Sequence, residues 1–238
     1  MNRRFSVVIG LLFVTILVLT TGCVGAGPAG TDHESVGLGG AESVRVEIFM
    51  GVGVLLIDGG ADELMEADFT YSQDSWKPEV EYAVTGSQGT LAVRQPSAMG
   101  VVPTPNIRYE WDVRLNNDVP MDLGIQLGVG GGNLDLGDLN LSRLHIGLGV
   151  GGAEIDLSGD WQSDLDANIE GGVGGVKVTL PRDVGVRVEV EKGLGGVDAD
   201  GFTRDGDAYV NDAYGQSDVT LRLNLKVGVG GVELNLAD

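Results

Sequence analysis

A Gly-Val-Gly core, with Leu194 in the middle of one copy, recurs with aligned flanks at Gly51, Gly128, Gly149, Gly172, Gly193 and Gly228, and the six copies align without gaps. The last five copies are separated by 21, 23, 21 and 35 residues. With the first Gly of each copy as position zero, position two is Gly in all six, and position three is Gly in every copy but the first, which has Val54. Positions minus seven, minus five, minus three and plus one are mostly apolar, as in Leu165, Ala167, Ile169 and Val173, which is the period-two face of a half-buried strand. Beyond the glycines the apolar residues move to positions four, six and eight, as in Val176, Val178 and Leu180. Side chains alternate strictly along a strand, so a phase change of one residue requires an irregular conformation. The Gly pair at positions two and three is the place for it, as a bulge or corner with positive φ. Each repeat therefore predicts two strands meeting at a Gly corner, with position one and position six, Val150 and Ile155 in one copy, in the same core.

Repeats of this length and strand content predict an all-β fold: a single-stranded right-handed β-helix, or β-solenoid, with Gly-kinked coils stacked about 4.8 Å apart, preceded by a β-rich N-terminal domain. The structural glycines are Gly51 and Gly53, Gly128 and Gly130, Gly149 and Gly151, Gly172 and Gly174, Gly193 and Gly195, and Gly228 and Gly230. The run from Gly147 to Gly152 also satisfies GxGxxG, the dinucleotide fingerprint. That fingerprint requires a helix after the loop, whereas Ala153–Leu157 alternates like a strand, and Gly147 is peculiar to its copy. The formal net charge of −20 is also poorly suited to holding phosphates, and it excludes nucleic acid, which binds through clustered cations. No nucleotide or nucleic-acid partner is expected.

At the N-terminus, Arg3 and Arg4 precede an apolar run, Val7 to Leu19, followed by Thr20, Thr21, Gly22 and Cys23. The run has the length of a signal-peptide core. A small residue followed by Cys after such a run resembles a bacterial lipobox, with Thr20 where Leu is usual. Cys23 is the only cysteine, so no disulfide framework can form. Residues 1–22 read as a lipoprotein signal peptide, Cys23 as the lipidated first residue of the mature chain, and residues 23–42 as a flexible tether. The expected location is the extracytoplasmic face of a cell membrane, held by the lipid.

Residues 43–119 carry one copy of the motif and read as a β-rich domain, with strands over 78–84, 89–95 and 109–116, a short helical turn over 61–67 and a loop over 96–107. Residues 120–238 form the repeat region. The stretches "VRVEIFMGVGVLLIDGGADELMEADFTY", "WKPEVEYAVTGSQGTLAVRQP" and "WDVRLNNDVPMDLGIQLGVGGGNLDL" resemble the toast-rack family of bacterial and archaeal lipoproteins. The first two resemble its N-terminal domain, and the third leads into its repeats. The resemblance implies a β-helical envelope protein and no enzyme activity. Related domains occur in proteins of cell-wall antibiotic response and in surface adhesins.

Catalytic material is sparse. His33 falls in the tether, and His145 falls in an outward slot of its strand, as a solvated side chain. The column at position seven, Asp58, Asp135, Asp156, Thr179, Asp200 and Asn235, predicts an outward polar ladder with carboxylates crowded together. The 35-residue interval contains "VDADGFTRDGDAYVNDAYGQSD", in which Asp198, Asp200, Asp205 and Asp207 alternate with Gly as in calcium loops. It lacks the closing Glu and includes Arg204. Ca²⁺ is thus the sole cofactor candidate, and an acidic surface loop is the plainer reading. The function expected is a non-catalytic, lipid-anchored cell-envelope protein acting as a structural or binding module, with a protein or glycan as partner and a role in envelope stress. The alternatives are a calcium-dependent or glycan-binding adhesin and a β-helix polysaccharide-active enzyme, which would need Asp and Arg converging in a groove.

Overall fold

The computed structural model describes residues 30–96 and 108–237. Sixteen strands follow in chain order: β1 (Gly30–Val36), β2 (Ser43–Asp58), β3 (Met65–Tyr71), β4 (Glu79–Thr85), β5 (Gln88–Arg94), β6 (Tyr109–Leu115), β7 (Met121–Asp135), β8 (Leu141–Asp156), β9 (Leu165–Val173), β10 (Val176–Leu180), β11 (Gly185–Leu194), β12 (Val197–Ala199), β13 (Thr203–Asp205), β14 (Ala208–Val210), β15 (Thr220–Val229) and β16 (Val232–Leu236). The described residues contain no α-helix and one 3₁₀ turn, Asp74–Trp76. The fold is all-β, and all sixteen strands belong to one large sheet that does not close on itself.

The repeats stack in parallel and in register. Val52, Val129, Val150, Val173, Val229 and Leu194 pair in that order across neighbouring layers. Each repeat has two arms, one on either side of the glycines. The first arms run β2–β7–β8–β9–β15–β11, and the second arms continue as β2–β7–β8–β10–β16–β12. The inward residues of both arms, such as Ile146 and Ile155, belong to one continuous buried cluster from Val44 to Leu234.

Chain order and stack order part at the end. The last repeat, β15–β16, lies between the fourth (β9–β10) and the fifth (β11–β12). A coil winding forward one layer at a time would place it last. The 35-residue interval is where the chain departs from regular winding: β14 pairs antiparallel with β11 and with β13, so the interval caps the end of the first-arm stack before the chain returns.

At the opposite end, β5 lies parallel to the first arm of β2, and β6 lies parallel to its second arm. Together they occupy a layer beyond the first repeat. β4 pairs antiparallel with β5, and β3 and β1 extend antiparallel from β6. The N-terminal stretch thus shares the sheet and the core of the repeats. Three local expectations are corrected. Gly30–Val36, placed in the tether, is a strand, held by Lys77 Nζ, which lies 3.0 Å from Asp32 and 3.1 Å from Glu34. The region 61–67 is not a helical turn: Met65, Ala67, Phe69 and Tyr71 alternate inward and start β3. A β-bulge sets Leu141, not Ser142, opposite Met121, so the core position at the start of β8 is filled one residue earlier than the gapless alignment predicts.

Candidate functional site

The corner is built by two glycine columns. Position two carries positive φ in every copy: +154° at Gly53, +147° at Gly130, +138° at Gly151, +143° at Gly174, +141° at Gly195 and +154° at Gly230. A Cβ on any of the last five would strike the carbonyl oxygen of the position-two Gly in the preceding layer. At position zero, a Cβ on Gly128, Gly149, Gly172, Gly193 or Gly228 would likewise collide with a neighbouring glycine carbonyl. Position three is different: no positive φ occurs there, and a Cβ on Gly196 or Gly231 meets nothing within 4 Å. The irregular residue predicted for the pair is therefore position two alone.

The columns end in side-chain caps. Gln95 Oε1 accepts from the backbone N–H of Gly51 and, at 2.9 Å, from that of Val52. At the other end of the stack, Lys192 Nζ donates to the Gly195 carbonyl at 2.7 Å.

Position one overturns an expectation. Val52, Val129, Val150, Val173, Val229 and Leu194 are not in the core: they are 51, 49, 51, 50, 46 and 72% exposed. The inward face runs through position minus one instead, with Met50, Leu127 and Val227 buried, and resumes at position four with Leu55, Ala153 and Val176. Four residues between those points turn the corner, and the one with a side chain in most copies points out. An apolar ridge therefore runs the length of the stack.

A groove flanks the ridge on each side. The first, about 1110 Å³, is floored by the position-zero glycines and walled by position minus two: Phe49, Gln126, Gly147, Glu170, Lys226 and Glu191 in stack order. The second, about 1020 Å³, is floored by the position-three glycines and walled by position five: Leu56, Asn133, Glu154, Lys177, Glu233 and Asp198. In the first groove Lys226 Nζ lies 3.5 Å from Glu191, both exposed.

The other sequence candidates are dispersed. Cys23 lies outside the described residues. His145 faces solvent, as expected. His33, on β1, is 3.1 Å from Asp68. Asp198 lies on β12, Asp205 ends β13, and Asp200 and Asp207 lie in adjoining turns. Among the described residues no group of three or more His, Cys, Asp or Glu is placed to hold a metal ion. Within the position-seven column, Asp58 lies near Asp135: burial first, then Asp112 and Asp135, raises the Asp58 carboxyl above its usual value despite Arg114.

Two organising residues escaped the sequence reading. Asn211, inside the Asp-rich interval, is buried; its Oδ1 accepts from Val186 N–H at 2.9 Å, and its Nδ2 donates to the Val184 carbonyl at 2.8 Å. Asp164 fixes the start of β15, accepting from Thr220 N–H and from Arg222, each at 2.9 Å. These bonds, the Thr220 N–H first, hold the Asp164 carboxyl below its usual value. Neither residue belongs to a repeated position, which is the signal that located the glycines.

A stacked parallel repeat with an exposed apolar ridge between two grooves defines a class of all-β protein that presents a regular surface to solvent. The chain belongs to the toast_rack family: the family described as the N-terminal domain of toast_rack, DUF2154, matches residues 26–179. The structure is similar to that of a candidate cell adhesion protein from Clostridium sporogenes, at 36% identity and a TM-score of 0.83, covering 88% of this chain and all of the other. A candidate adhesin from Bacteroides fragilis aligns at 14% identity and a TM-score of 0.33, covering 88% of this chain and 98% of the other. No curated protein matches the chain.

Proposed function

We propose that the protein is a non-catalytic binding module of the cell envelope, tethered through a lipid on Cys23 to the extracytoplasmic face of the membrane, with the corner ridge as its working surface. On this reading each repeat is one turn of a short solenoid that serves as a rigid support. The carrying observation is the exposed ladder of five Val and one Leu: monomers seldom present a long continuous apolar strip without a partner. The similarity to a protein described as a cell adhesion protein supports the same reading. A net charge of −20 disfavours docking of the body onto an anionic lipid surface, so the partner is a protein or glycan of the envelope.

Two measurements test this. Beads coated with the protein should retain cells or isolated envelope fragments, and Val129→Asp with Val150→Asp should abolish retention while leaving the circular dichroism unchanged. Equal retention by the variant would refute the ridge as the working surface. Radiolabelled palmitate should label the chain and not Cys23→Ser; labelling of both would refute the anchor.

A further inference from the structure

We propose that the ridge and its grooves are a self-complementary interface, and that the occupant is a second copy of this chain, related by a two-fold axis running along the stack. The inference rests on the proposed working surface and names its partner. Such an axis reverses the order of positions across the corner but keeps the layers in step. The ridge of one copy then lies over the position-zero glycines of the other, and both copies repeat at the same spacing of about 4.8 Å. The same shift places each position-minus-two side chain over the position-three column, beside position five of the partner.

The chemistry of those two walls matches in four of the six layers, and in a fifth Gly147 leaves Glu154 without a counterpart. Phe49 meets Leu56, and Gln126 meets Asn133. Glu170 meets Lys177, and Lys226 meets Glu233. No ion pair within the chain holds Glu170 or Lys177 among the described residues, so these two charges are available to a partner, whereas Lys226 already lies 3.5 Å from Glu191 and would have to leave it to meet Glu233. Only the terminal layer sets like charges together, Glu191 with Asp198, and Lys192 neighbours that pair. A two-fold axis across the stack would instead set each wall against itself in reverse order: it would pair Glu154 with Lys177 but would set Phe49 against Glu191 and Leu56 against Asp198, burying apolar side chains against carboxylates.

The strip between the outer walls is about 23 Å wide and about 24 Å long by strand geometry, on the order of 1,100 Å² for both copies together, at the boundary between transient and stable interfaces. A weak pair is therefore expected, favoured by confinement to one membrane. Both copies point the same way along the stack, so both β1 strands lie at the same end.

Sedimentation of the full chain in detergent should show a concentration-dependent monomer–dimer equilibrium. Lys177→Glu and Glu170→Lys should each weaken the dimer by about tenfold, as close interfacial charge pairs do, and the double variant should restore it. Val150→Asp should abolish it, with circular dichroism reporting the fold. A chain that stays monomeric at every concentration, or a dimer that the double variant does not restore, overturns the proposal. If the dimer is absent while Val150→Asp still loses retention of cells, the self-pairing falls and the binding function stands; if the dimer forms but ridge variants retain cells normally, the binding function falls instead.

Discussion

At the residue scale, two adjacent glycines of the corner differ in what they tolerate. Gly230 has φ +154° and its Cβ would collide with the Gly174 carbonyl; Gly231, next in sequence, has neither constraint. Gly230→Ala should therefore lower stability by about 2 kcal/mol or more, a fall in Tm of at least roughly 4 °C for a chain of this size. Gly231→Ala should be neutral or raise stability by roughly 0.4–1 kcal/mol through the unfolded chain. Thermal unfolding of the two variants decides this; equal losses would refute the single-residue corner. The sequence carried part of the distinction, since Val54 occupies position three in the first copy while position two is always Gly. It could not show that position one points outward, because alternation places Val150 on the inward parity, and the corner that breaks the count already begins at position zero, ahead of the positive-φ residue. Asp58 gives a second test. Its folded value lies above the unfolded one, so the charged form is disfavoured at neutral pH, and stability is regained as pH falls through the raised folded value toward 3.8. Asp58→Asn should raise the Tm at pH 7 and erase that gain; an unchanged Tm would show that the neighbouring carboxylates are fully screened.

At the element scale, the intercalated last repeat is the part of the fold the sequence left least legible. The gapless alignment assigned β15–β16 to the pattern and gave its inward residues correctly apart from Val229, with Leu221, Leu223, Leu225 and Leu234 all buried. Its place between β9–β10 and β11–β12 depends on non-repeated contacts that no period reveals. Asn211 is one: it ties β14 to the start of β11 and to the preceding loop, and Asn211→Ala would leave the Val186 N–H and the Val184 carbonyl buried and unpaired. The expected loss is about 1–3 kcal/mol, read by chemical denaturation, whereas removal of the neighbouring exposed Asp207 should change little. Asp164 is the other. Its folded value lies below 3.8, so its contribution is present above that value and is lost as pH falls through the lowered folded one. Hydrogen exchange near pH 3 should therefore open β15 before β7 or β8. In Asp164→Asn the early opening should already be present at pH 7; uniform exchange across these strands would refute the clamp.

At the scale of the whole molecule, a parallel stack of identical corners is an open-ended template: each layer presents the carbonyls that the next would use, and identical strands add most readily to such an edge. One end is closed by strands that reverse direction, β1, β3 and β4, with Gln95 accepting the first corner N–H groups. At the other end the β13–β14 hairpin covers only three residues of β11, and β12 is three residues long, with no strand on its outer side among the described residues. Protection there falls to Lys192, which occupies the Gly195 carbonyl, and to Asp198, exposed on the edge strand itself. On this account Asp198 keeps copies from adding end to end, a role that calls for a charge on an edge and no metal. Lys192→Ala combined with Asp198→Val should therefore produce linear polymers, seen as light scattering that grows with time at concentrations where the native chain is no larger than a dimer. Adding calcium to the native chain should not reproduce the effect. Should the double variant stay free of polymers, the brevity of β12 alone would be the protection, and Asp198 would have no such role.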